Sequence, residues 1–274
     1  MDKEKIKIIL DEHEKWVLNQ EDGEQADLRG VNLRGVGLYG TDLYRANLCE
    51  AILCEADLYG ANLHGANLCD ADLRYVNFRC ADLCGAELCG ANLRYADFRG
   101  ANLRGAVFYA ADLRYADFRG ANIRGVDFCG ANFRGANLRE VDFCGASLCG
   151  ANLDHADLYG AKNVPYVPMV CPEEGEFIGW KKANGYLVKL LIPKDAKRSS
   201  ATTRKCRCSK AKVLEIIRTK ETQEETTKVA SSYKDNFFYT LGEWVEVSNF
   251  DNDRWNECSA GIHFFMQKQE ALDY

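Results

Sequence analysis

From Ala26 to Gly160 the apolar positions recur every five residues without a slip, so that the stretch divides into 27 consecutive pentapeptides. The central residue of each is Leu, Phe or, at Ile123, Ile, and the residue two before it is Ala or Val, with Thr41 the one polar exception. The residue just before the centre is usually Asp or Asn, and the residue two after it is often Gly. An α-helix would carry this period around its whole surface, because five residues turn about 500°. A continuous strand would send successive central residues to opposite faces, because an odd period conflicts with two-residue alternation. A short extended piece followed by a turn satisfies the pattern. The central residue and the small residue at the corner then face inward, and glycine supplies the backbone freedom for the turn.

A longer period lies over the short one. Every twentieth residue gives Arg74, Arg94, Arg114 and Arg134 in one column and Arg79, Arg99, Arg119 and Arg139 in another. Tyr75, Tyr95 and Tyr115 form a third, and Cys49, Cys69, Cys89, Cys129 and Cys149 a fourth, interrupted by Tyr109. One circuit therefore takes four pentapeptides, and like side chains pile up at the strand spacing of about 4.8 Å. The units ANLHG, ANLCD, ADLCG and ANLRG closely resemble those of the pentapeptide repeat family. That resemblance implies a mainly β fold, a right-handed quadrilateral β-helix of about seven coils.

Residues outside the repeat predict the remaining elements. Ile6, Ile9, Leu10, His13, Trp16 and Val17 recur at helical spacing, so residues 1–25 read as a capping helix and lead-in ahead of the β-helix at 26–162. Pro165, Pro168 and Pro172 mark a linker over 163–175. Residues 176–274 hold the strand-like runs FIGWKK, YLVKLLI, KVLEII, FFYTLGEWVEV and IHFFM and a short helix near Gln267–Leu272, which predicts a small α+β domain with a mainly antiparallel sheet. The segments KDAKRSSATTRKCRCSKA and DRWNECSAGIHFF resemble a carboxy-terminal domain of uncharacterised function that accompanies pentapeptide repeats in bacterial and phage-borne proteins.

Charge changes this picture only locally. The net charge of -6 divides into -4 over residues 1–25, -4 over 26–160 and +2 over the rest. Neither a membrane span nor an exporting leader is evident, and thirteen cysteines in a chain of this length read as free thiols, so a cytoplasmic protein without membrane attachment is expected. Stacked cysteines would stand wider apart than a disulfide allows, which favours packing over redox or metal chemistry in that column.

Three groups of residues are candidates for function. The two arginine columns carry eight cations against Asp72, Asp97, Asp112 and Asp117, an excess of about four, with Tyr75, Tyr95 and Tyr115 at the shared corner to stack on guanidinium groups. They read either as a solubilising ladder or as a surface for an acidic partner. Between Lys194 and Lys212, eight Lys or Arg residues, Arg198, Arg204, Lys205 and Arg207 among them, meet one acid, Asp195, in a loop able to take phosphate, nucleic acid or an acidic protein. Cys206, Cys208, Cys258 and His263 are ligand types that zinc accepts, although their spacing matches no common zinc motif.

No phosphate-binding glycine loop, serine-centred elbow or HExxH helix is present, so neither an enzyme nor a cofactor is expected. The sequence reads as a monomeric, non-enzymatic interaction scaffold whose partner is an unidentified macromolecule, in the first place a protein. The alternative implied by the resemblance is a DNA mimic acting on DNA gyrase or topoisomerase. The arginine columns interrupt the continuous acidic rod that mimicry requires.

Overall fold

A computed structural model describes residues 3–165, 169–220, 222–232, 236–256 and 259–274. The chain divides into two compact units, Met1–Tyr166 and Val167–Tyr274.

The first unit opens with helix α1 (Lys3–Val17), followed by the repeats. Every backbone bridge of the repeats joins residue i to residue i+20 in parallel, from Asp27–Asn47 to Asp142–Lys162. Asn92 lies opposite Asp112, and the Tyr95 N–H donates to the Arg114 carbonyl at 3.0 Å. The two arginines expected to share a column therefore stand one rung apart. Each pentapeptide pairs at its second residue and turns at its fourth and fifth. The fifth residue is left-handed in all 27 units, with φ from 56° to 73°, including Tyr75, Tyr95 and Tyr115. Glycine relieves that conformation where it occurs, and side chains there accept the strain in exchange for what they display.

Stacking stabilises both the inside and the outside of this unit. The central Leu and Phe residues other than Leu148, and most of the small corner residues, are buried. Phe78, Phe98 and Phe118 stack with ring centroids 5.2 and 4.7 Å apart, and Phe98 meets Phe108 edge-on at 5.8 Å. Outside, the second-position carboxylate or amide accepts the N–H two residues on, as Asp97 does from Arg99 at 3.1 Å. That bond fixes the turn. At the beginning of the repeats, the Ala26 N–H donates to Nδ1 of the buried His13 at 3.0 Å, so α1 satisfies a backbone donor of the first pentapeptide. Burial lowers the His13 pKa from 6.5, outweighing the opposing effect of Asp42.

The second unit is built on a seven-stranded antiparallel sheet. Its strands are β1 (Phe177–Ala183), β2 (Tyr186–Ile192), β3 (Arg198–Ser200), β4 (Lys205–Cys208), β5 (Lys210–Arg218), β8 (Trp244–Glu246) and β9 (Ile262–Phe265), in the order β3-β4-β9-β1-β2-β5-β8. β6 (Lys228–Ala230) and β7 (Phe238–Thr240) form a separate pair, and α2 (Lys268–Asp273) follows β9. One apolar cluster joins Val188, Leu190, Val213 and Phe264 to Val229 and Tyr239; another joins Leu187 and Phe265 to Ala271 of α2.

Three expectations change on this fold. The basic segment 194–212 is not a loop: it supplies β3, β4 and the start of β5, because Ser199, Ser200, Cys206 and Cys208 provide buried positions between the cations. The expected linker is shorter than 163–175, since Cys171 is buried in the second core and the Val170 N–H donates to Ser200 Oγ at 2.7 Å. FFYTLGEWVEV divides into β7 and β8, because Gly242, at φ 81°, turns the chain between them.

Candidate functional site

On the first unit, six of the eight column arginines have carboxylate partners. Arg74, Arg99, Arg114 and Arg119 each turn back on the aspartate two residues before them, at 2.5–2.7 Å. Arg134 meets Asp154 at 3.6 Å and Arg139 meets Asp157 at 3.2 Å, both one circuit further on. The excess of four cations read from the sequence therefore shrinks, because those two aspartates lie outside the circuits counted. Hydrogen bonds from Arg74 hold the Asp72 carboxyl below its usual range against the opposing effect of burial. Arg79 and Arg94 have no ion pair among the described residues. The Arg94 Nε is buried without a hydrogen-bond partner, and its guanidinium lies 6.0 Å from the Tyr95 ring centroid. Tyr75, Tyr95 and Tyr115 stack at 4.9 Å with interplanar angles of 3° and 10°, all three exposed.

In the second unit the cations of the basic segment serve different ends. Arg207 is buried and donates to the carbonyls of Asp251, Asp253 and Ala260, which ties those three residues to β4. Arg198 donates to the carbonyls of Pro172, Pro193, Ala196 and Gly175. Both guanidiniums are committed to the fold, which corrects their expected availability to an anion. Arg204 pairs with Glu270 at 2.6 Å. Of the four named residues, Lys205 lines a cavity of the second unit that the other three do not.

That cavity encloses about 480 Å³ and is lined by Lys181, Lys182, Lys205 and His263, by the rings of Phe237, Tyr239, Phe265 and Tyr274, and by Ser231, Asn249 and Ser259. β1 and β9 pair at only one position, Trp180 opposite Phe265, and the two lysines and His263 belong to the stretches next to that pair. Lys181 is 8% exposed, and its ammonium has no hydrogen bond or ion pair among the described residues and lies 5.8 Å from the Tyr239 ring centroid. Burial, reinforced by Lys205 and opposed by Cys208, lowers its pKa to about 8. His263 donates Nε2–H to the Ser259 carbonyl at 3.0 Å, yet its pKa falls to about 4 through burial and then Lys205, with Lys181 and Arg207 adding to the fall. Among the described residues no Asp or Glu side chain lines the cavity.

A family model of pentapeptide repeats matches residues 18–162 in overlapping segments, more than half of the chain. The chain belongs to the pentapeptide repeat family. A second match, over residues 167–271, is to a family of unknown function (DUF5758). Among solved structures, HetL, a pentapeptide repeat protein involved in heterocyst differentiation regulation from the cyanobacterium Nostoc sp. strain PCC 7120, is 37% identical over 51% of this chain and 62% of its own, with a TM-score of 0.37. A pentapeptide repeat protein of the Arabidopsis thaliana thylakoid lumen is 37% identical over 39% of this chain and 70% of its own, with a TM-score of 0.30. QnrB1, a plasmid-mediated fluoroquinolone resistance protein, is 25% identical over 50% of this chain and 70% of its own, with a TM-score of 0.33. No curated protein matches the chain.

In this pentapeptide repeat protein the described residues among those weighed as zinc ligands, Cys206, Cys208 and His263, do not form one ligand group. Cys206 and Cys208 pair with Phe264 and Ile262, so they face away from Arg207 and His263, which pair with each other. The two thiols donate to the carbonyls of Arg204 and Ile262. Cys258 lies outside the described residues, among which no group of three or more metal-ligating side chains occurs. Among them, too, no helix is long and apolar enough to cross a membrane. Sequence reasoning missed Lys181. Its only signal is alternation: in FIGWKKA it shares a face with Gly179 and Ala183, the buried positions of the strand.

Proposed function

We propose that the protein is a non-enzymatic scaffold whose repeat unit offers the corner between the two arginine columns to an acidic protein partner. The reading takes that unit as a right-handed coil of nearly seven turns. The observation that carries it is the exposed ladder of Tyr75, Tyr95 and Tyr115 with Arg94, a column arginine without an ion pair among the described residues, against the Tyr95 ring. Aromatic and arginine side chains are enriched where protein interfaces draw their affinity. Exposed Arg–Asp pairs of the kind flanking them contribute only about 0–1 kcal/mol to stability. Their geometry fits a surface that stays soluble while the tyrosines remain uncovered.

The test replaces Tyr75, Tyr95 and Tyr115 together by Ser and compares what the full chain and the variant retain from a native lysate. Proteins held by the wild type and lost by the variant support the reading, and identical sets refute it. A gyrase supercoiling assay addresses mimicry of DNA separately; inhibition at stoichiometric protein would favour that role despite the cationic columns.

A further inference from the structure

The cavity of the second unit carries an inference independent of the repeat unit's partner. Its volume of about 480 Å³ lies in the range of small-molecule sites, and its lining divides into a cationic part and an aromatic part. Lys181 and Lys205 are close enough for each to depress the titration of His263, and Lys205 acts likewise on Lys181. Among the described residues no carboxylate side chain of the lining relieves that repulsion. Burying an ammonium without a counter-charge is costly, and a fold retains such a group where a ligand supplies the missing charge. Lys182 is partly committed, since its ammonium donates to the Leu272 carbonyl at 2.9 Å. Lys181 and Lys205 are the two cations left to face a ligand; among the described residues the Lys205 ammonium has only a long contact of 3.4 Å to the Tyr274 hydroxyl and the Tyr274 ring.

We propose that this cavity binds an aromatic phosphate monoester, with Lys181 and Lys205 holding the phosphate and the ring lying against the aromatic lining that includes Phe237 and Tyr239. The charge favours this class over a carboxylate. A phosphate monoester carries about -1.5 to -2 at neutral pH, enough for two ammonium groups, whereas a carboxylate neutralises one. Asn249 and Ser259 add polar lining suited to hydroxyl or ring-edge groups of the ligand.

Calorimetric titration of the full chain tests the assignment with adenosine 5′-monophosphate and phenyl phosphate as probes and with adenosine, inorganic phosphate and benzoate as controls. At least one ester is expected to bind, with each control weaker by about tenfold or more, since a control forfeits either the charge-assisted hydrogen bonds or the ring contacts. Lys181→Met is expected to keep the circular dichroism spectrum of the wild type and to weaken the ester by about ten- to a hundredfold, the span of one hydrogen bond to a charged group. Repeating the titration at pH 8.5 in two buffers of different ionisation heat reads a signal that a purely structural lysine would not give. The wild type takes up protons as the phosphate recharges Lys181, and the variant does not. Failure of both esters to bind overturns the proposal, as does a Lys181→Met variant that binds as tightly as the wild type. Equal binding of inorganic phosphate removes the aromatic half of the claim, and equal binding of benzoate removes the phosphate half. Steeply salt-dependent binding of a single-stranded oligonucleotide, with neither ester bound, would reassign the cations to a nucleic-acid surface.

Discussion

Replacing Lys181 by Met should stabilise the second unit, and the gain should depend on pH in a calculable way. The side chain is almost wholly buried, and its pKa falls from the ordinary 10.5 to about 8, chiefly through burial. At about 1.4 kcal/mol per pKa unit, holding the ammonium in this site costs roughly 3 kcal/mol at neutral pH. Methionine has a similar length and no charge to desolvate; the lost contact with the Tyr239 ring offsets about 0.5–1 kcal/mol. A net gain of about 2 kcal/mol at pH 7 follows. Between pH 8 and 10.5 the unfolded chain holds the lysine proton and the folded chain has released it, so raising the pH favours the fold. The wild type should therefore recover the deficit across that window, and the advantage of the variant should shrink as it does. Denaturant unfolding followed by tryptophan fluorescence reads the right unit, because Trp180, Trp244 and Trp255 belong to it and only Trp16 to the other. Taking the difference between the two proteins removes the upward shift of Tyr239 from burial, which also acts at alkaline pH. A variant less stable than the wild type at pH 7, or a difference constant from pH 7 to 10.5, would refute the reasoning.

Four further outcomes are expected. His13 must be neutral to accept the Ala26 N–H, and its lowered pKa means that this contribution is fully present above the ordinary value of 6.5 and lost as the pH falls through the lowered one; amide exchange at Ala26, corrected for intrinsic rates, should lose protection on acidification below 6.5, and unchanged protection down to the acid unfolding of the chain would count against the contact. Phe98→Ala should cost about 3–5 kcal/mol while Phe98→Leu, which restores the residue most units carry, stays under about 1.5 kcal/mol; equal losses in denaturant melts would show that the stacked rings do not set the packing. Gly135→Ala should cost more than Gly30→Ala, because both are left-handed but only at Gly135 would a Cβ fall 2.6 Å from the Tyr115 ring, against open space at Gly30; equal melting temperatures would place the ring elsewhere. Arg207→Met should destabilise the second unit by about 3 kcal/mol or more, since it strips donors from three carbonyls, and a neutral result in the same fluorescence assay would deny Arg207 its structural part.

The repeat unit was legible because one rule is repeated many times. A period of five excludes both helix and continuous strand, and the columns Arg74–Arg134 and Tyr75–Tyr115 reveal the circuit of twenty, so register follows from counting. The partners of individual arginines were less legible. Arg134 and Arg139 pair one circuit onward with Asp154 and Asp157, whereas Arg114 turns back on Asp112 in its own unit. The choice depends on whether the second position holds Asp or Asn. Asn132 and Asn137 offer no charge to their own arginines, and the next circuit supplies one; Asn77 and Asn92 offer none to Arg79 and Arg94 either, but the next circuit's Asp97 and Asp112 are already engaged by Arg99 and Arg114.

The second unit obeys no such rule, and its site is legible only in reverse. A dense cationic segment drew attention to Arg198 and Arg207, yet high charge on a short strand also suits groups that tie neighbouring carbonyls together, as both of these do. The more informative lysine stands in a different strand, beside a second lysine, where composition suggests a solvated edge. Alternation places Lys181 with Gly179 and Ala183, and small neighbours on the buried face leave room for a long side chain to lie inward. Local propensity and binary pattern disagree at that residue, and such disagreements concentrate where a fold gives up stability for function. A charged residue falling on the small-residue face of a strand is thus a stronger pointer to a ligand than a run of charges, because the run can be satisfied by water or by backbone while the inward charge has to find a partner.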